Sequence, residues 1–250
     1  MRTVCIRIKE RNRGIKGTIR KIISSPKTFL KGETMFQESQ NSEYLEMCIE
    51  RVKKIDLVWV EQILDIIYNE IEFSRHLDLN DVGCNLGQFW KGLKNHRSGL
   101  QKIIKYYGYG SEKIYLDKIK EIFPEIYKNL SNIDINIDQL PECDISMCSA
   151  TLEHLNYLQP GLNNILESTK QLVLLRTFLG EVPIKAIRMK EGAKTYYNIH
   201  QFSFNEIFLA FEKKGFITKV IRDEYTDSMP NYIGNGIIRT FYIIKGTKRK

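Results

Sequence analysis

The segment Asn80-Asp81-Val82-Gly83-Cys84-Asn85-Leu86-Gly87-Gln88-Phe89-Trp90 constrains the chain more than any other. It reads as an acid at a strand end, a short loop holding two glycines, and the first turn of a helix. Such a turn brings backbone N–H groups and a helix N-terminus against a small polar ligand, and glycine lets the backbone approach without a Cβ in the way. The spacing excludes two ligand classes. A phosphate-cradling loop needs G-x4-G-K-[ST], whereas Gly92 is followed by Leu93-Lys94. A dinucleotide fingerprint needs G-x-G-x-x-G, yet Asn85 stands at the second glycine and Phe89-Trp90 crowd the third.

The rest of the chain alternates apolar stretches of strand and helix period. Tyr44 to Ile55 and Val60 to Ile71 carry helical spacing, read as two helices or one bent one. Strands are expected at Leu77–Val82, Lys105–Tyr109, Ile133–Ile137, Asp144–Cys148 and Leu172–Leu179. Helices are expected over Gln88–Asn95, from Gly110-Ser111 (a turn and N-cap) through Ile122, and near Gly161–Lys170. This interval indicates a mostly parallel sheet covered on both faces. The end differs: a helix over Phe204–Lys213, capped by Gly215, precedes strands Phe216–Arg222 and Ile237–Ile244 with no helix between them. That demands an antiparallel pair at the sheet edge.

Composition sets the remaining bounds. A chain of 250 residues, 42% hydrophobic and 27% charged, buries one full core and is not globally disordered. The expected organisation is a basic arm with a helical extension over residues 1–72, then one ligand-binding domain over 73–250. No apolar run reaches the length of a membrane span, and no signal peptide is read at the N-terminus. Five scattered cysteines (Cys5, Cys48, Cys84, Cys143, Cys148) lack a C-x-x-C pair. Free thiols in a reducing, cytoplasmic setting and no metal site are expected. The net charge of +8 is concentrated at the ends: residues 1–32 hold ten Lys/Arg and one acid, and residues 245–250 four more cations. The body between them is acidic. Either the ends contact an anionic polymer, or they are solvated arms that pack on a partner subunit, a homodimer being the open alternative. No aromatic–basic interleaving accompanies the charges, so nucleic acid is not the expected partner.

The pattern D-x-G-x-N-x-G over residues 81–87 resembles motif I of the class I S-adenosylmethionine (SAM)-dependent methyltransferases, whose usual form is D-x-G-x-G-x-G. The resemblance spans roughly Leu77 to Lys245. It implies a Rossmann-like seven-stranded sheet in the order 3-2-1-4-5-7-6, with SAM as cofactor held by Asp81, Gly83, Asn85 and Gly87. In the family the second strand ends in an acid that binds both ribose hydroxyls. Here that place holds Gly110, and Glu112, two residues later, either takes the role or is a first-turn helix acid. Asn136-Ile137-Asp138 matches the adenine-binding position, with Asp138 alternatively capping a turn. The segment Leu140 to Leu155 resembles the fourth strand and its following loop, placing Ser149 at the cofactor and Glu153-His154 near the methyl donor.

A hydroxyl acceptor needs a proton acceptor near neutral pH, which makes His200, His154 and Glu153 the candidate catalytic groups, with His200 preferred. The other two histidines, His76 and His96, are read as structural. The polar–aromatic stretch Tyr196 to Phe204 falls where the family places substrate-shaping insertions, so Tyr197, Asn198 and Gln201 are candidate substrate contacts; the alternative is a loop packing its aromatics inward and capping a helix with Ser203. Arg176, an arginine on an apolar strand, is a further substrate candidate because a buried guanidinium needs an anion. The finer likeness is to bacterial surface-glycan (capsule or O-antigen) sugar O-methyltransferases, which implies a small-molecule or sugar-nucleotide acceptor. A nucleic-acid methyltransferase would need Pro-Pro or Pro-Cys after the fourth strand, where Cys148-Ser149-Ala150-Thr151 stands. A non-catalytic protein of the same fold is the third alternative.

Overall fold

The structure, a computed structural model, describes residues 42–54, 56–72, 75–189, 196–233 and 236–249; the basic arm over 1–32 and Cys5 lie outside them. Helices α1 (Ser42–Lys54) and α2 (Val58–Glu70) lead into β1 (Leu77–Val82), α3 (Gln88–Asn95), β2 (Ile104–Gly110), α4 (Lys113–Ile122) and β3 (Leu130–Asn132). Then come β4 (Cys143–Ser149), α5 (Leu158–Ser168), β5 (Thr169–Gly180), β6 (Ile187–Met189), β7 (Tyr196–Asn198) and β8 (Phe202–Ser203). Helix α6 (Phe204–Lys213) precedes β9 (Phe216–Arg222), β10 (Asn231–Tyr232), β11 (Ile238–Arg239) and β12 (Phe241–Lys248).

The main sheet runs β3-β2-β1-β4-β5-β12-β9, which is the expected order 3-2-1-4-5-7-6, and the two-residue β8 beside β5 makes an eighth strand. Strands β1 to β5 pair in parallel, while β12 is antiparallel to both β5 and β9.

Strand β5 shows how the sheet is buried on both sides. Leu172 and Leu174 pack with Val60, Ile63, Leu64 and Ile67 of α2 and with Phe89 and Leu93 of α3. Val173, Leu175 and Leu179 face Leu162, Ile165 and Leu166 of α5 and Ile207 and Phe211 of α6. The period of two sends successive side chains to opposite layers, so a strand covered twice reads as a continuous apolar run. Helix α2 packs into the sheet's own core through Val60, Ile63, Leu64 and Ile67. Helix α1 lies elsewhere: Cys48 and Val52 pack on Leu86 of the glycine loop and Tyr115 of α4.

Three differences from the expected elements have local causes. The apolar alternation over Ile133–Ile137 forms a turn, and β3 lies just before it. Asp134 accepts from the N–H and side chain of Asn136, and its carbonyl accepts from the N–H groups of Ile137 and Asp138. A short polar side chain competing for its own backbone outweighs strand propensity there. Helix α5 passes into β5 with no loop, because the hydroxyls of Ser168 and Thr169 both donate to the Ile165 carbonyl, at 3.0 and 2.6 Å, and end the helix. At the other end, residues 237–239 enter the small β10–β11 ladder, so the last strand begins at Phe241 and runs into the basic end. Lys245 pairs with Glu70, and Lys248 donates to the Lys214 carbonyl at 2.7 Å, so both cations are tied into the fold. Glu112 rather than Ser111 is the N-cap residue of α4, with no side-chain cap bond. No helix among the described residues is long and apolar enough to cross a membrane.

One buried ion pair ties this architecture together. Arg176 on β5 donates from Nε and Nη2 to Asp223 Oδ1 and Oδ2 at 2.7 and 3.0 Å, joining β5 to the loop after β9. Asp223 also accepts from the N–H and hydroxyl of Thr226, so its lone pairs are satisfied. Removing one partner strands a buried charge. Asp223→Ala should therefore cost about 3–5 kcal/mol in urea unfolding, and a loss below about 1 kcal/mol, the range of exposed pairs, would contradict this account.

Candidate active site

The turn after β1 is built on alternate left-handed residues: Gly83 at φ 79°, Asn85 at 47° and Gly87 at 78°. Asparagine is among the few residues that tolerate this region, so Asn85 serves where a third glycine would otherwise be required. The N–H groups of Gly83 and Cys84 both donate to the Tyr109 carbonyl, at 2.8 and 3.0 Å, which ties the loop to the end of β2. Gly87 is the N-cap of α3 and makes no side-chain cap bond. The first-turn N–H groups and the positive end of the helix dipole are thus left to whatever lies at the sheet's carboxyl edge. The glycines also answer to the protein itself. A Cβ on Gly83 would overlap the Thr151 side chain, and one on Gly87 would come within 3.2 Å of the Phe123 ring. Their replacement would disturb packing as well as ligand approach.

Asp81 is 2% exposed and accepts from the Tyr106 hydroxyl at 2.7 Å. Burial pushes its carboxyl up to about 7, against the opposing pull of that hydrogen bond. The contact depends on Gly108, which stands opposite Asp81 in the β1–β2 register. A Cβ there would lie 3.1 Å from the Tyr106 oxygen, so the missing side chain makes room for the hydroxyl. Tyr106 was not among the candidates from sequence. The signal available was its position two residues before Gly108, on the same face of the adjoining strand.

The remaining cofactor candidates are distributed along this edge. Ser149 ends β4 and its carbonyl accepts from Thr151 Oγ1 at 3.1 Å. Ala150 between them is held at φ 52°, an uncommon conformation for a side chain with a Cβ. Thr151, against Gly83, is a second residue missed in the sequence. Glu112 lies two residues past the end of β2. Asn136, Ile137 and Asp138 form the turn described above: the Asp138 carboxylate accepts from the Asp134 N–H at 2.9 Å, and Asn164 donates to the Ile135 carbonyl at 3.1 Å. Asp138 thus caps its own turn.

Beyond β4 the chain brings Glu153, His154 and the 197–201 segment together. His154 Nδ1 lies 2.7 Å from the Asn198 carbonyl oxygen. A carbonyl only accepts, so Nδ1 carries the proton and Nε2 is the basic nitrogen. The ring meets Tyr197 edge-on at 5.6 Å, and Asn198 returns a bond from its amide to the His154 carbonyl. His200 has the opposite arrangement. Its Nδ1 accepts from the Ala186 N–H at 3.2 Å, and burial, followed by repulsion from Lys185, His154 and Arg239, pushes its pKa down to about 4. With its Nδ1 lone pair engaged and its basicity lowered by burial, His200 is a poor proton acceptor as it stands.

Glu153 is buried with a raised pKa, chiefly from burial, and accepts from Thr177 Oγ1 at 2.9 Å. Arg176 and Thr177 are neighbours on β5, so they face opposite layers; the guanidinium's anion is Asp223 and not a ligand. Tyr197 and Asn198 are buried, and Gln201 donates to the Val182 carbonyl at 3.0 Å. The amides of Asn198 and Gln201 brace the segment. Ser203 caps α6 in a reciprocal box with Glu206. His96 is buried beside Ser98, and the described residues hold no His/Cys/Asp/Glu group able to bind a metal ion.

Solved structures share this architecture. The chain is similar to a TehB-like SAM-dependent methyltransferase from Corynebacterium glutamicum, at 17% identity over 84% of this chain and 99% of that one, with a TM-score of 0.55. It is also similar to magnesium protoporphyrin IX methyltransferase (ChlM) from Synechocystis, solved with S-adenosylhomocysteine (SAH) bound, at 14% identity over 86% and 99%, TM-score 0.58. The fold is that of the class I SAM-dependent methyltransferases. A third structure, the N-terminal domain of EvdMO1 in the presence of SAH and D-fucose, matches at 13% identity over 78% and 85%, TM-score 0.55. No family model and no curated protein sequence matches the chain. At these identities the methyltransferase likeness establishes architecture and leaves the acceptor open.

The raised Asp81 pKa has a consequence for the ligand-free protein. A carboxyl whose folded pKa lies above its unfolded value supplies stability below the unfolded pKa and loses it as pH rises through the folded one. Stability should fall between about pH 4 and pH 7, by at most about 4 kcal/mol at 1.4 kcal/mol per unit. Asp81→Asn should flatten that slope, read by unfolding across the range. An unchanged slope would remove Asp81 as its cause.

Proposed function

We propose that the protein is an enzyme that transfers a methyl group from SAM to a hydroxyl of a sugar-bearing small molecule, with His154 as the base. The observation that carries the reading is the turn after β1, where alternate left-handed residues, an uncapped helix N-terminus and a buried carboxylate meet at one sheet edge. These groups fit the cofactor's chemistry: a carboxylate for its positive charge and N–H donors for its polar groups. Asp81, Gly83, Asn85 and Gly87 would hold it, with Ser149 and Thr151 beside them, Glu112 at the ribose and residues 136–138 at the adenine. When bound, SAM supplies a methyl group activated by a sulfonium leaving group.

The chain's own work is positioning and proton removal. An alcohol has a pKa far above 7, so its proton must pass to a base as its oxygen gains the methyl. His154 Nε2 accepts that proton, and the resulting imidazolium keeps its Nδ1–H on the Asn198 carbonyl, a bond that strengthens as charge develops. Tyr197 sets the ring's orientation by its edge contact. The sugar reading is supported by the resemblance to surface-glycan methyltransferases and by the D-fucose present with EvdMO1.

Incubation with SAM and a panel of nucleotide-sugars, followed by mass spectrometry, should show one acceptor gaining about 14 Da, methyl replacing hydrogen. His154→Ala should lose about 100- to 10,000-fold in turnover while keeping SAH affinity. Near-native turnover in that variant would exclude His154 as the base.

A further inference from the structure

The two buried arginines among the described residues, Arg176 and Arg239, are treated in opposite ways. Arg176 has the bidentate Asp223 carboxylate. Arg239, also only 5% exposed, has none: its Nη1 and Nη2 donate to the carbonyls of Ile238 and Ile199 at 2.8 and 3.3 Å, and its Nε has no hydrogen-bond partner. Leaving a cation buried against neutral groups with one donor unmet costs stability. The cost makes sense where an anion arrives later to complete the site.

Arg239 stands where such an anion would belong. It ends β11, two residues before Phe241, the first residue of β12, which pairs with Phe178; Arg239 therefore stands near the carboxyl end of β5. Its carbonyl partner Ile199 sits between Asn198, which holds the His154 ring, and His200. Ala186 binds both residues, donating to His200 Nδ1 at 3.2 Å and accepting from the Ile199 N–H at 2.9 Å, which brings the exposed Lys185 to the same place. The Lys185 ammonium lies 5.5 Å over the Tyr157 ring. Burial first, and then the charges of Lys185, His154 and Arg239, oppose protonation of His200.

We propose that Arg239 and Lys185 form a subsite for an oxyanion carried by the acceptor, a phosphoryl or carboxylate group. The planar fork of Arg239 suits either, and Lys185 adds a point charge at the surface. This deepens the methyltransferase reading and rests on it for the identity of the ligand as acceptor. It narrows the substrate class to anionic sugar derivatives and excludes neutral ones.

The test uses the full chain with and without SAH, titrated calorimetrically with inorganic pyrophosphate, uridine diphosphate and glucuronate. At least one probe should bind at millimolar concentration, more weakly as salt is raised, and with affinity about tenfold or more lower in Arg239→Gln, the loss expected for a charged hydrogen bond. A response to the phosphates alone assigns a phosphoryl group, and to glucuronate alone a carboxylate. Thermal melting supplies the independent readout. Without ligand, Arg239→Met should melt no lower than the parent, since it removes an unpaired buried cation, whereas Arg176→Met should melt several degrees lower. Absence of binding by every probe, equal binding in Arg239→Gln, or a large loss of melting temperature in Arg239→Met would overturn the subsite. SAH binding with no anion response sinks only this proposal, whereas loss of SAH binding with an intact anion response sinks the cofactor reading instead.

Discussion

The backbone after β1 is the constraint on which the rest of the molecule depends. Left-handed conformation at residues 83, 85 and 87 turns the chain from strand to helix within a few residues. That turn points the start of α3 at the carboxyl edge of the sheet. Side chains are packed to suit it: Thr151 against Gly83, Phe123 against Gly87, and Tyr106 reaching Asp81 through the space above Gly108. Helix α1 closes on the same loop through Leu86. A single local conformation thereby fixes one ligand edge, the β1–β2–β4 register around it and the docking of the first helix.

Strand β5 organises the other half of the site by its period of two. Thr177 points to the layer that holds Glu153, and Arg176 to the layer that holds Asp223. Past the strand's end, the Asn198–His200 segment is gripped residue by residue: by His154, by Arg239 and by Ala186. Each grip has a chemical consequence. The first sets the tautomer of His154, the second leaves a cation without an acid, and the third occupies the basic nitrogen of His200. The arrangement gives two histidines close in space unlike ring environments: Nδ1 of His154 donates, and Nδ1 of His200 accepts.

Much of this was legible in the sequence, and what was not has identifiable causes. The doubly covered sheet and the antiparallel edge follow from apolar runs of strand length and from the absence of a helix between the last two strands. Strand β3 was misplaced because Ile133, Ile135 and Ile137 alternate like a strand while Asp134 folds the backbone back on itself. The glycine loop was readable from spacing alone, including the unusual Asn85. The surroundings of His154, His200, Arg176 and Arg239 were not, because each depends on a partner 14 to 47 residues away: Asn198, Ala186, Asp223 and Ile199. Residue type shows that a buried arginine needs an anion; only the fold shows which arginine already has one.

The central claim is that the edge formed by Asp81, Gly83, Asn85 and Gly87 binds a SAM-like cofactor with its sulfur turned toward His154. A crystal structure of the protein grown with SAH tests it most directly. The ligand is expected along the β1–α3 turn, with a polar group of its methionine end hydrogen-bonded near Asp81 and its sulfur facing His154. Density for SAH elsewhere on the sheet, or a sulfur walled off from His154, would contradict it.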